Sequence, residues 1–343
     1  MNTIISHLTL LLFPLIIWAR TPFAPAVQQQ VELGIEKTIR NDFAGAEALF
    51  RELIAAYPDQ PAGYFYLGAT FQAEMLDAEQ YDRLKEFQEA MERCIEVAKA
   101  LQERDGSDPW PYFFEGSAYL YRSFMDSKQK KMLGAYRNAV RGVHRLEKVI
   151  ELDSAFYDAY LGVGSFKYWK SSKAKALTWL PFISDERRRG IEMVQIALEK
   201  GNFVKLVGRD QLAWMLLDAG RTEEALELAL QNHRLYPESR FFRWTLVEIY
   251  YRGERWEEAF QAYGELLQMV RALPQNNHYN EITCLLRLGE IYCLQGEFEK
   301  SRDLALEILR LPLDPQVRER AKPKLKQALE LQKRCAEELA RAG

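Results

Sequence analysis

Apolar residues recur at intervals of three and four along most of the chain, in runs of helical length separated by short polar turns. That spacing gathers them on one face of a helix and predicts helices rather than strands. The runs come in pairs. Gln211–Ala219 precedes a helix that opens at Gly220-Arg-Thr-Glu-Glu-Ala225 and ends at Tyr236-Pro237, and Phe242–Tyr251 precedes one that opens at Arg255-Trp256-Glu-Glu-Ala259. Ala225 and Ala259 are 34 residues apart, as are Ala229 and Tyr263, Asn232 and Leu266, and Gly34 and Gly68. A fixed period built on one helix–turn–helix unit signals repeats that stack into a solenoid.

Seven units are expected over residues 27–314: 27–60, 61–108, 109–154, 155–205, 206–239, 240–281 and 282–314. In the first, Asn41 or Asp42 caps the second helix by accepting a backbone N–H. Gly34 and Ala46 allow its two helices to approach closely. The second helix of unit two is expected from about Ala78 to Glu103, stopped by Asp105-Gly106-Ser107-Asp108-Pro109. Unit three opens at Trp110 and unit four at Tyr157, with Met132–Leu152 as the helix between them. Unit four carries an insertion over 169–184, followed by a helix from Ser184 or Asp185 to Lys200. Ala259 to Ser301 is 42 residues, and the polar loop Pro274–Asn280 accounts for the excess. Residues 315–343 interleave Lys and Arg with Glu, which suits a polar helix capping the open end of the array.

Residues also carry a family likeness. Leu33-Gly34, Leu67-Gly68, Leu161-Gly162 and Leu288-Gly289 fall in first helices, small residues fall early in second helices, and Pro follows at Pro58 and Pro237. In this the chain resembles the tetratricopeptide repeat family. The resemblance implies an all-α, right-handed superhelical solenoid whose first helices line a concave surface. It implies a non-catalytic scaffold that binds a protein or peptide partner there. Carried onto this sequence, the groove-facing places are Phe65, Trp110, Phe113, Phe156, Phe166, Trp214, Phe241, Trp244 and Tyr251. Such rings also serve as the core between repeats; as a set they suggest apolar anchors for an extended or helical peptide. Family arrays that grip chaperone C-termini use Lys, Arg and Asn at these places, and this sequence does not.

The start of the chain differs in kind. Ile4–Ala19 is almost wholly apolar, short for a membrane span and right for the core of a signal peptide. Ala24-Pro25-Ala26 offers small residues before Val27, so residues 1–26 are expected to be an export signal, or else a membrane anchor through 4–19. Arg20 after the apolar run, and the lack of Lys or Arg before it, are what favour the anchor. The expected location is the periplasm or cell envelope.

Composition narrows the chemistry. Hydrophobic content of 48% supports a core, and a net charge of −3 argues against a general nucleic-acid binder. Yet Leu120–Gly190 holds 15 Lys and Arg against 7 Asp and Glu, which leaves −11 for the remainder. Arg137, Arg141, Arg145 and Lys148 share one helix face, and Lys170, Lys173 and Lys175 follow, joined by Lys167 and Arg187–Arg189. With the apolar loop Trp179-Leu-Pro-Phe182-Ile, they suggest a basic surface for an acidic protein or an anionic membrane, or simply a solvated face. Cys284 and Cys293 lie about 13.5 Å apart along one predicted helix, too far to bridge, so four reduced, buried thiols are expected. His7, His144, His233 and His278 are scattered. No Gly-x-Ser-x-Gly, His-Glu-x-x-His, phosphate loop or calcium loop occurs, and no metal, cofactor or reaction is expected.

Overall fold

The computed structural model describes residues 25–174 and 184–342, so residues 1–24 and the loop residues Lys175, Trp179 and Phe182 lie outside the described residues. Among these residues the chain is helical, with fifteen α-helices and no strand. They pair as α1 (Pro25–Ile39) with α2 (Phe43–Ala56), α3 (Pro61–Ala78) with α4 (Leu84–Arg104), and α5 (Pro109–Lys128) with α6 (Met132–Leu152). Next come α7 (Asp158–Lys173) with α8 (Arg187–Lys200), α9 (Lys205–Asp218) with α10 (Thr222–Leu235), and α11 (Arg240–Arg252) with α12 (Trp256–Arg271). The last pair is α13 (Tyr279–Leu294) with α14 (Phe298–Arg310), and α15 (Pro315–Ala342) closes the array. No described helix is long and apolar enough to cross a membrane.

The periodic positions are the buried ones. Ala46, Ala225, Ala259 and Ser301 occupy equivalent places in α2, α10, α12 and α14 and are all fully buried. A small residue there lets the second helix lie close on the first. Asp42 caps α2 by accepting from the backbone N–H of Gly45 at 3.0 Å. At two crossings the approach is closer still: Gly116 of α5 meets Gly142 of α6, and Gly164 of α7 meets Gly190 of α8, backbone against backbone. All four cysteines are free and buried.

Curvature follows from which helices touch. Successive odd-numbered helices from α1 to α11 pack on one another, whereas no two successive even-numbered helices pack comparably. The odd helices are therefore crowded on the inside of the curve and the even ones fan out around it. One boundary differs from expectation. The helix expected from Ala78 starts only at Leu84, because α3 runs on to Ala78 and Glu79 then turns left-handed (φ 48°). Gln80 N–H closes the helix end onto Met75 O at 3.1 Å. The link Glu79–Arg83 proves to be a docking point for the far end of the chain.

Candidate interaction surfaces

In repeats two to four the inner rings do not face open space. Phe65, Trp110, Phe113 and Phe156 are buried within one continuous core. The Trp110 ring lies 4.4 Å from Phe156, Phe113 lies 5.1 Å from Phe156, and Phe65 lies 5.1 Å from Tyr121. The expectation that these four line an accessible groove is corrected: where odd helices touch, rings on neighbouring helices meet each other first. Phe203, from the α8–α9 link, adds a further edge at 6.0 Å from Trp110. Asp158 of α7 holds that link, its carboxylate accepting the N–H groups of Asn202, Phe203 and Val204 at 3.0, 2.8 and 3.1 Å. It caps the start of α9 from another helix. Phe166 packs against the same core, half-buried, with Lys170 Nζ 5.8 Å from its ring centre.

Repeats five to seven are different. Phe241, Trp244, Glu248 and Tyr251 fall at i, i+3, i+7 and i+10 of α11 and form one stripe. Phe241 is 42% exposed, and Trp244 and Tyr251 are half-buried. Arg287 of α13 stacks 4.2 Å over the Tyr251 ring, and Tyr251 donates its hydroxyl to Glu290 at 2.8 Å. Trp214 of α9 is half-buried beside them, with Arg252 5.7 Å over its ring. Its Nε1 donates to Thr245 Oγ1 at 3.0 Å, and Thr245 donates onward to Asp210 at 2.6 Å. These rings are held in place by charged groups yet keep accessible edges.

Asp210 carries a pH dependence. It is almost fully buried with Thr245 as its hydrogen-bond donor. Burial pushes its carboxyl up to about 7 from 3.8, and the Thr245 bond only partly opposes this. The folded chain thus holds a proton that the unfolded chain releases between those values. Stability from this group falls as pH rises from about 4 to about 7 and is level above that. Asp210→Asn removes this penalty, but its buried amide gains donors that lack partners. The expected net gain is about 1–2 kcal/mol at pH 8, turning into a net loss of about 2 kcal/mol at pH 4, where only the cost of the amide remains. Urea unfolding of both proteins at the two pH values checks it; an equal offset at both would show that Asp210 stays ionised.

The inner face is bounded by a closure that joins distant repeats. Arg240, at the start of α11, pairs with Asp77 near the end of α3 through Nε at 2.8 Å and Nη2 at 2.6 Å. The Asp77 carbonyl accepts from Asn280 Nδ2 at 2.8 Å, and those of Ala78 and Glu79 accept from Asn277 Nδ2 at 3.1 Å. Arg320 of α15 donates to Glu79 O at 2.7 Å and lies between the rings of Tyr81 and Tyr279, 4.9 and 5.2 Å from their centres. Lys128 adds a 2.7 Å pair with the Glu79 carboxylate. One repeat earlier, Asn41 Nδ2 donates to Glu238 O at 3.0 Å, beside an Arg40–Glu238 pair. A helix end leaves carbonyls without partners and carries partial negative charge. Here the end of α3 takes amides and guanidinium groups from three later helices or their entries. The superhelix therefore completes a turn between repeats one and two and repeats six and seven. The Pro274–Asn280 loop was visible in the sequence as a surplus; that Asn277 and Asn280 in it target the end of α3 was not.

Residues 242–313, spanning α11 to α14, match the family model of the tetratricopeptide repeat. Those residues are tetratricopeptide repeats, and the described chain as a whole has the solenoid fold of such arrays. No curated protein matches it. Among solved structures, the tetratricopeptide fold is similar to that of the APC/C hetero-tetramer Cut9–Hcn1, at 14% identity and TM-score 0.53, covering 93% of this chain and 57% of that one. It is similar also to a Rap protein complexed with competence and sporulation factor, at 14% identity and TM-score 0.50, covering 93% and 88%. YrrB, described as a TPR protein with an unusual peptide-binding site, aligns at 16% identity and TM-score 0.43 over 67% of this chain and 99% of its own.

The array also redistributes the basic residues expected to form one surface. Arg145 turns inward to the buried Glu115 at 2.9 Å, and Lys148 pairs with Glu151 at 3.2 Å. Lys167 and Lys170 both reach Glu186, at 2.5 and 2.9 Å, and hold its carboxyl below its usual range. Arg187 turns to Asp185 at 2.5 Å. Lys173 is exposed at the end of α7. Arg137 and Arg141 are exposed, Arg137 donating weakly to Leu133 O at 3.4 Å and Arg141 lying 5.9 Å from the Tyr119 ring. The continuous stripe is thus corrected to a smaller group, because carboxylates on packed elements or one turn away neutralise part of it.

Proposed function

We propose that this array is a non-catalytic scaffold of the cell envelope, binding a peptide segment of a protein partner along the inner face of α9 to α13. Tetratricopeptide solenoids are interaction scaffolds in general, and two folds similar to this one were solved in complexes. The observation that carries the reading is the α11 stripe, where Phe241, Trp244 and Tyr251 stay accessible while Phe65, Trp110, Phe113 and Phe156 of earlier repeats are buried. Aromatic anchors set among fixed charges are the usual source of binding energy at such faces. The closed turn supports a preorganised surface, which lowers the ordering cost of capture.

Phe241→Ala with Trp244→Ala is the discriminating variant, since both side chains keep exposed surface. Trp110→Ala is unsuitable because truncating a buried Trp costs about 3–5 kcal/mol in stability. Cross-linked capture from native envelope fractions, quantified by mass spectrometry, is expected to lose at least tenfold of the partners recovered by the parent chain. The same run reads the N-terminus, expected near Val27. Equal recovery by parent and variant would remove the inner-face site, and an intact N-terminus outside the envelope fraction would remove the export reading.

A further inference from the structure

We infer that the outward face of α6 docks on the headgroup region of an anionic lipid bilayer. The inference goes beyond the inner-face reading and does not depend on it. Five of the eleven large apolar side chains exposed among the described residues lie between Phe124 and Val140. Four of them open α6: Met132 is 59% exposed, Leu133 67%, Tyr136 61% and Val140 42%. At 3.6 residues per turn these four fall within roughly a 100° arc. The opposite face of α6, through Ala135, Asn138, Gly142 and Leu146, is buried, so the helix is folded with the apolar arc turned outward.

Charge selects the occupant. From Lys128 to Arg145 the chain carries six Lys and Arg and no Asp or Glu. Lys128 and Arg145 are used internally by Glu79 and Glu115. Lys130, Lys131, Arg137 and Arg141 remain exposed with no carboxylate partner among the described residues. Arg137 and Arg141 follow the apolar arc along one edge, and Lys130 and Lys131 sit at its start. An apolar arc edged by cations matches the layering of a bilayer interface, with acyl boundary beneath and anionic headgroups beside it. A second copy of the same face is disfavoured by like charge. An acidic protein would match the cations but would leave the four apolar side chains without a complement.

The test uses the full chain with vesicles of phosphatidylcholine alone or with 30% phosphatidylserine, read by flotation. Arg137→Gln with Arg141→Gln is expected to lower partitioning onto the anionic vesicles about 25-fold, at about fivefold per basic residue. Leu133→Gln with Tyr136→Gln is expected to lower it at least tenfold. All four positions are exposed, and the helical signal and melting point are expected to stay at parent values. Lys326→Gln with Lys333→Gln removes the same charge from α15 and is expected to leave binding unchanged, as is Phe241→Ala with Trp244→Ala. Equal loss with the α15 variant, binding retained by both α6 variants, or no preference for anionic vesicles would overturn the inference. Polyglutamate binding that depends on Arg137 and Arg141 without any vesicle binding would also overturn it, in favour of an acidic protein partner.

Discussion

Gly190→Ala is expected to destabilise the middle of the array by about 3 kcal/mol, despite adding the best helix former to a helix interior. A Cβ on Gly190 would sit 2.6 Å from Gly164 O, 2.8 Å from Tyr168 N and 2.9 Å from Tyr168 Cβ. Two of these are backbone atoms of α7, so no side-chain rotation relieves the overlap. Ordinary contact near 3.5 Å requires α7 and α8 to part by almost an ångström. That movement reaches Tyr168, which is fully buried and whose single hydroxyl hydrogen is shared between Met215 O and Asp218, both at 2.8 Å. The intrinsic gain of about 1 kcal/mol for replacing Gly in a helix only partly offsets the loss. Urea unfolding followed by circular dichroism measures it. Because a solenoid is a chain of neighbour interfaces, hydrogen exchange should rise first in α7 to α9. A midpoint equal to the parent's would show that the two helices have slack.

Opening the closure is the second large effect. Arg240→Ala leaves Asp77, whose side chain is only 8% exposed, without its guanidinium partner. Breaking a buried pair from one side typically costs about 3–5 kcal/mol, since the remaining charge is neither solvated nor matched. Asp77→Ala together with Arg240→Ala is expected to recover part of this, because no uncompensated charge is left. The distinguishing readout is shape. With its first repeats detached from its last, the superhelix can unwind, so small-angle scattering should show a larger radius of gyration for Arg240→Ala. Partner capture through the α11 stripe should change with it, as both share that helix. If the single variant is as compact and as stable as the parent, the asparagines and Arg320 hold the turn without the ion pair.

The basic segment illustrates how packing reassigns residues that look alike in sequence. Arg137, Arg141, Arg145 and Lys148 recur on one helix face, yet only the first two remain without a carboxylate. For Arg145 the difference arises from Glu115 on α5, which lies thirty residues before it and is buried against it; Lys148 is paired within its own helix by Glu151. The inner aromatic row divides the same way. Trp110 and Phe241 each stand second in a first helix. One is covered by Phe113, Phe156 and Phe203, while the other keeps an accessible edge.

By itself the sequence determined the helix pairs, their 34-residue register and the repeat fold, because those depend on local periodicity and on small residues at fixed offsets. It also carried the charge asymmetry and the surplus loop at Pro274–Asn280. Three things were decided only by the tertiary structure. The end of α3 at Glu79 depends on partners about 200 residues away, and no local pattern encodes a target that distant. Which rings are core and which are accessible depends on how tightly the odd helices crowd, a property of the whole curve. The outward arc of Met132, Leu133, Tyr136 and Val140 emerged only once the opposite face of α6 was seen to be the buried one. Helical periodicity tells which residues share a face; burial of one face against a neighbour tells which face is left for a partner.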